Sequence, residues 1–183
     1  MAKQGDVIEN PVTGERIVFR QTAAGTNGEL LQFELFLKPH GFVPVEHIHS
    51  RQEERVEVAS GSVWYRLGGK EESLSAGQGA VLPPRIPHTL WNGTDADAHL
   101  IMEVRPALGM EAALETLFGL ARDGKTNDKG VPNPLRGALL AREYDIFLAG
   151  PPIPVQRAGI AVLAPIARLL GYRARYPEYS RRD

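Results

Sequence analysis

Three histidines and a glutamate stand at spacings that let them meet around one metal ion. Two of the histidines lie in Gly41-x5-His47-x-His49-x4-Glu54-x6-Gly61, and the third lies in Gly77-x5-Pro83-x-Arg85-x2-His88-x3-Asn92. His47 and His49 are two residues apart, so on a strand both imidazoles point to the same side. His88 comes from a separate strand, after the stiff approach of Pro83, Pro84 and Pro87. Imidazole nitrogens with one carboxylate suit a single divalent transition metal, Fe, Mn, Ni, Co or Zn, and affinity order alone does not choose among them. Such an ion keeps positions open for other ligands, and it polarises a bound carbonyl, carboxylate or enolate, or presents dioxygen beside a substrate. Without a cation, three buried imidazoles and a carboxylate would be poorly satisfied, which disfavours a plain hydrogen-bonded core cluster.

Glu53 and Glu54 compete for the carboxylate position. Alternation separates them, because Glu54, Val56 and Val58 share one face while Glu53, Arg55, Glu57 and Ala59 share the other. A lone carboxylate on an apolar face suits the inside of a barrel, and the charged face suits water. Glu54 is the predicted ligand. It is also the predicted base if it leaves the metal within hydrogen-bond reach of a substrate.

Together the two segments resemble the conserved motifs of the cupin superfamily, G(X)5HXH(X)3,4E(X)6G and G(X)5PXG(X)2H(X)3N. Every signature position matches except one, where Arg85 stands in place of the second motif's internal glycine. The resemblance implies a jelly-roll barrel (a double-stranded β-helix) that binds a metal and a small organic molecule. The superfamily hosts dioxygenases, decarboxylases, isomerases, epimerases and non-catalytic binders. Family analogy favours an oxygen-using oxidoreductase, with a non-catalytic module holding an anionic ligand through the metal as the alternative. A shared fold does not settle the chemistry.

An arginine in place of glycine predicts a less demanding backbone at position 85. A solvated turn residue is the ordinary reading of Arg85. The functional one is a guanidinium at the barrel mouth that grips a carboxylate bidentately. Tyr65, Leu90 and Met102 are the other candidates for ligand contact. His40, in a Pro-His-Gly turn, and His99, on the polar face of its strand, read as surface residues. Trp64 and Trp91 fall on the face opposite the expected interior, where the tail or a second subunit would cover them.

The elements that must position these residues are short strands between Asp6 and about Pro106. Turn signals at Asn10-Pro11, Gly25 to Gly28, Pro39 to Gly41, Gly68-Gly69 and Asn92-Gly93 punctuate alternating runs. Leu31, Phe33, Leu35 and Leu37 share a face, as do Val63, Tyr65 and Leu67, and Ala98, Leu100, Met102 and Val104. The fold class is therefore all-β, a barrel or sandwich over residues 1–106.

After Pro106 the period becomes helical, and residues 107–183 read as a helical extension packed on the barrel or on a dimer partner. One helix runs from Met110 to Ala121, with Gly124 just past its end. A second opens at Asn133-Pro134 and runs to about Phe147. A third spans Val155 to Gly171 and should kink at Pro165. Its stripe of Val155, Gly159, Val162, Ile166 and Leu169 is flanked by Arg157 and Arg168. Six arginines against two acidic residues follow Pro151, so an interfacial membrane helix is a weaker alternative to packing.

The 183 residues carry 23% charged side chains and a net charge of -1, with no cysteine. Nucleic-acid attraction, thiolate chemistry and disulfides are thereby disfavoured or excluded. The first ten residues show no apolar leader, and no run is long enough to span a bilayer, so a cytoplasmic homodimer is expected.

Overall fold

The computed structural model describes residues 2–180, which leaves Arg181 and Arg182 of the basic tail outside the described residues. Alternation becomes strand wherever one face is buried. The barrel strands are β1 (Val7–Asn10), β2 (Glu15–Gln21), β3 (Leu31–Leu37), β4 (His47–His49), β5 (Glu53–Ser60), β6 (Ser62–Leu67), β7 (Lys70–Ser75), β8 (Gly79–Leu82), β9 (His88–Trp91) and β10 (Ala98–Arg105). A further strand, β11 (Ile146–Leu148), comes from the extension. They form two antiparallel sheets, ordered β1-β2-β3-β10-β5-β8 and β11-β4-β9-β6-β7. This is the expected all-β jelly roll.

Its core is the inward face that alternation marks. Met102 of β10 lies between Phe33 of β3 and Val56 of β5 in register, and all three are at most 5% exposed. Each such side chain contributes roughly 1.5–3 kcal/mol by leaving water. The loop after β9 is closed by Asn92, which is 1% exposed. Its Nδ2 donates to the carbonyls of Leu37, Lys38 and Ala96, while its Oδ1 accepts from the Thr94 amide and hydroxyl. Gly61 turns the chain between β5 and β6 at φ 78°, where a Cβ would lie 2.6 Å from the Asp97 carbonyl. These contacts explain two motif residues as builders of the barrel rather than as chemistry.

Glu15 is a buried carboxyl away from the histidines. Burial pushes its pKa from 4.5 up to about 7, against hydrogen bonds from Thr13 and Asn10 that lower it. The folded state therefore favours the protonated form. That preference stabilises fully below the unfolded value of 4.5 and is lost as pH rises through about 7. It amounts to about 3 kcal/mol. Glu15→Gln should flatten the fall in thermal midpoint across that window and leave the variant more stable than the parent above it. Melting curves from pH 4 to 8 check this, and an unchanged slope would refute it.

Beyond the barrel lie α1 (Met110–Arg122), α2 (Pro134–Tyr144), α3 (Ile153–Leu169) and α4 (Pro177–Ser180). Met110, Ala113, Phe118 and Leu120 of α1 join the barrel's apolar core, as do Tyr176 and Tyr179. Gly124 follows α1 at φ 66°. Asn133 caps α2, its side chain accepting from the Arg136 amide at 3.0 Å with Pro134 next in line.

One expectation needs correction, and another is narrowed. The second helix does not reach Phe147, because Asp145 turns left-handed at φ 60° and the next three residues form β11. Ile146-Phe147-Leu148 is an apolar run that reads as a helix end or a strand, and a distant partner decides which. Of the two partners expected for the stripe on α3, the barrel is excluded, and the dimer partner remains. Val155 is 60% exposed, Val162 64%, Ile166 44% and Leu169 88%. The helix instead buries Ala164 and Ala167 against Leu139 of α2. It runs on through Pro165, which supplies no amide to the turn before it. Among the described residues no helix is long and apolar enough to cross a membrane.

Candidate metal centre

The three histidines come from one sheet and the glutamate from the other. His47 and His88 stand directly opposite each other on β4 and β9. His49 follows two residues along β4, on the same side. Glu54 reaches across from β5, flanked in register by Leu82 of β8 and Val104 of β10. One ligand atom from each of the four lies within 4.8 Å of all the others. His49, His88 and Glu54 are buried, and His47 is half-buried.

Their nitrogens aim at a common point. Nδ1 of His47 faces the Val45 carbonyl at 3.1 Å, and Nδ1 of His88 faces the Ile86 carbonyl at 3.0 Å. A carbonyl only accepts, so each Nδ1 donates and each Nε2 keeps its lone pair for the cluster. His49 Nε2 is 3.1 Å from Glu54 Oε1, and His88 Nε2 is 3.6 Å from Oε2. Yet neither nitrogen has a properly directed hydrogen-bond partner among the described residues. Close approach without alignment is what donors to a shared cation show, and the donor set fits a divalent transition metal.

The electrostatics agree. Burial lowers the His47 pKa to about 3, with the His49 and His88 imidazoles adding to the effect, so His47 is neutral at physiological pH. Burial would raise Glu54, but His49 and then His88 outweigh it and hold the carboxylate well below its ordinary range. Burial likewise opposes the charge on His88, yet Glu54 raises that pKa.

The remaining candidates are dispersed. Glu53 lies on the opposite face of β5, paired with Arg55 at 2.9 Å. Tyr65 and Leu90 are buried cross-strand neighbours, and the Tyr65 hydroxyl donates outward to Glu72 at 2.7 Å. Met102 packs in the core. His40 is exposed beside Asp95, and His99 stacks on Phe36 with centroids 4.3 Å apart. Trp64 and Trp91 pair across β6 and β9, with Trp64 42% exposed.

Arg85 corrects an expectation. Its backbone is not relaxed: φ is 69°, the left-handed turn that the motif glycine would take without strain. What holds it there is β4, since the Arg85 amide donates to the His49 carbonyl at 2.7 Å. Its Nε reaches the Ser50 carbonyl at 3.4 Å. Two features at the cluster escaped the sequence: β11, lying along β4, and Asp145, which binds Ser50. An aspartate ahead of three strand-forming residues was the available signal, since aspartate tolerates the left-handed turn.

Residues 33–104 match the family model of the cupin domain. A predicted oxalate decarboxylase from Thermotoga maritima is 16% identical over 58% of this chain and 99% of its own, with a TM-score of 0.51. An RmlC-like cupin from Shewanella frigidimarina is 21% identical over 58% of this chain and 88% of its own, with a TM-score of 0.49. A sugar phosphate isomerase of the cupin superfamily from Silicibacter pomeroyi is 22% identical over 52% of this chain, at a TM-score of 0.45. This chain spans 62% of that protein, less than two thirds of its length. No curated protein matches the chain. At 16% identity the likeness to the Thermotoga maritima protein carries the fold alone. With the family match over its central strands and both motifs on the facing sheets of one jelly roll, residues 33–104 are identified as a cupin domain.

Proposed function

We propose that the protein is a metal-dependent enzyme that oxidises a small organic molecule with dioxygen. The observation that carries this reading is the convergence of His47, His49, His88 and Glu54 within 4.8 Å. A divalent ion held by these four residues would supply Lewis acidity and a means of activating dioxygen. His47 and His88 present fixed tautomers, because their Nδ1 protons are engaged by backbone carbonyls. Glu54 stays ionised and is the one carboxylate in the cluster able to take a proton from a substrate. Apolar neighbours in register, Leu67 beside His88 and Leu82 beside Glu54, keep water away and strengthen every charge interaction. The exposed stripe of α3 supports a homodimer as the working form.

Metal analysis of protein purified without chelator, followed by oxygen uptake with iron restored, tests the proposal. Substrate-dependent oxygen consumption is the expected result. Tight ligand binding without turnover under any of the five metals would replace it with the second reading, a module that holds an anionic ligand. Arg85 favours that second reading. Its guanidinium lies beside the Ser50 carbonyl that follows the His47-x-His49 strand. Arg85→Gly suits the left-handed backbone and should leave metal content unchanged. Affinity for anionic ligands should fall about 10- to 150-fold, the loss of one charge-assisted hydrogen bond. Isothermal titration with small carboxylates checks this. Unchanged affinity for all of them would return Arg85 to a solvated turn residue.

A further inference from the structure

The strand that carries His47 and His49 is only three residues long. Toward its own barrel it makes a single residue pair, His47 with His88. Toward the extension all three of its residues pair with β11: His49 with Ile146, Ile48 with Phe147 and His47 with Leu148. The segment is also clipped at both ends. Before β4, the Glu46 carbonyl accepts from the Ala149 amide at 2.9 Å. After it, Ser50 is bound by Asp145, which is 9% exposed. The Ser50 amide donates to Oδ2 at 3.2 Å, and its hydroxyl lies 2.8 and 2.7 Å from Oδ1 and Oδ2. Arg51 Nε approaches the same carboxylate at 3.5 Å, and Arg157 stands 4.0 Å from it on the outer side.

We propose that β11 and Asp145 position His47 and His49, so that metal binding and docking of the extension form one coupled equilibrium. This rests on the metal reading above. Asp145 touches no ligand atom, so it is a positioning residue. It fixes Ser50, Ser50 ends β4, and β4 sets where both imidazoles converge. Coupling is reciprocal. A bound ion tightens β11 as much as β11 tightens the ion.

The test uses the full chain and cobalt as the metal probe. Asp145→Gly keeps the left-handed backbone while removing the carboxylate, and Asp145→Asn keeps one acceptor oxygen for Ser50. Cobalt dissociation constants, by competition with a chromophoric chelator, should weaken about 10- to 100-fold for the glycine variant. The asparagine variant should recover most of that loss. The visible cobalt bands should shift in the glycine variant, which a merely stabilising residue would not cause. In the parent, cobalt should slow hydrogen exchange at Phe147 and Leu148. Ser50→Ala breaks the same clamp from the barrel side and should weaken cobalt in the same direction, which keeps the test intact if Asp145→Gly does not fold. A parent chain that binds no cobalt overturns the metal reading itself. A parent that binds it, with Asp145→Gly or Ser50→Ala binding equally tightly and showing an unaltered spectrum, overturns the positioning role.

Discussion

Chains carrying His47→Ala or His88→Ala should emerge from purification without metal, whereas the parent should carry close to one ion per chain. Each substitution removes one of four converging atoms. Losing an outer-shell partner already costs about 10- to 100-fold in affinity, so losing a ligand should cost more than 100-fold. His88→Ala carries a second penalty. His88 is one of the two groups that keep Glu54 ionised, and without it burial drives the carboxyl toward its protonated, weakly ligating form. Glu53→Ala is the matched control, because that side chain lies on the outer face beside Arg55. Its metal content should equal that of the parent. Elemental analysis of the three variants decides the assignment, and full occupancy in both histidine variants would sink it.

Truncation after Gly150 should abolish soluble folding or lower the thermal midpoint sharply. The cause is more specific than loss of an apolar tail. Tyr176 and Tyr179 are each 8% exposed and belong to the barrel's own core. The Tyr179 ring covers Gly119, where an added Cβ would collide with it. Its hydroxyl donates to Asp123 at 2.6 Å and accepts from Lys125 at 3.0 Å. Removing both rings forfeits roughly 1.5–3 kcal/mol apiece and uncovers Phe118, while loss of α3 bares Leu139. The sum is comparable with the whole stability of a typical domain, about 5–15 kcal/mol. Replacing Val162 and Leu169 with serine should leave the fold of the single chain intact, since both are exposed there, and should weaken the homodimer. The full chain should stay off liposomes. Salt-sensitive flotation with anionic vesicles would instead assign the α3 stripe and its arginines to a membrane surface.

The difference between these two segments shows where sequence reading reached its limit. Alternation placed Phe33, Val56 and Met102 inside and Glu53 outside, because a strand has only two faces and charge chooses between them. Glu54 was legible for the same reason. The cap at Asn133-Pro134 was legible because its chemistry is local. Neither Arg85 nor β11 was. The strain at Arg85 is held by a hydrogen bond to His49, and β11 exists because β4 needs an edge partner about a hundred residues earlier in the chain. Non-local pairing leaves no periodic mark on either segment. The α3 stripe is a different case, turned away from the barrel. Its spacing was right for a helix face, but periodicity does not say which face meets the protein.

The first turn of α3 does something that the stripe does not suggest. β11 is the last strand of its sheet, and such an edge offers unpaired amides and carbonyls to any passing chain. Here the Gln156 side chain accepts from the Leu148 amide at 3.0 Å and donates to the Leu148 carbonyl at 2.8 Å. A carboxamide has the same donor and acceptor as a peptide group, so one side chain stands in for the strand that would otherwise arrive. It is anchored by a further bond to the Pro151 carbonyl at 2.7 Å. A second molecule seeking to extend the sheet would have to evict it. The helix therefore acts as a stopper, ending the sheet one strand beyond the histidines and keeping neighbouring copies from stacking into fibres through that edge.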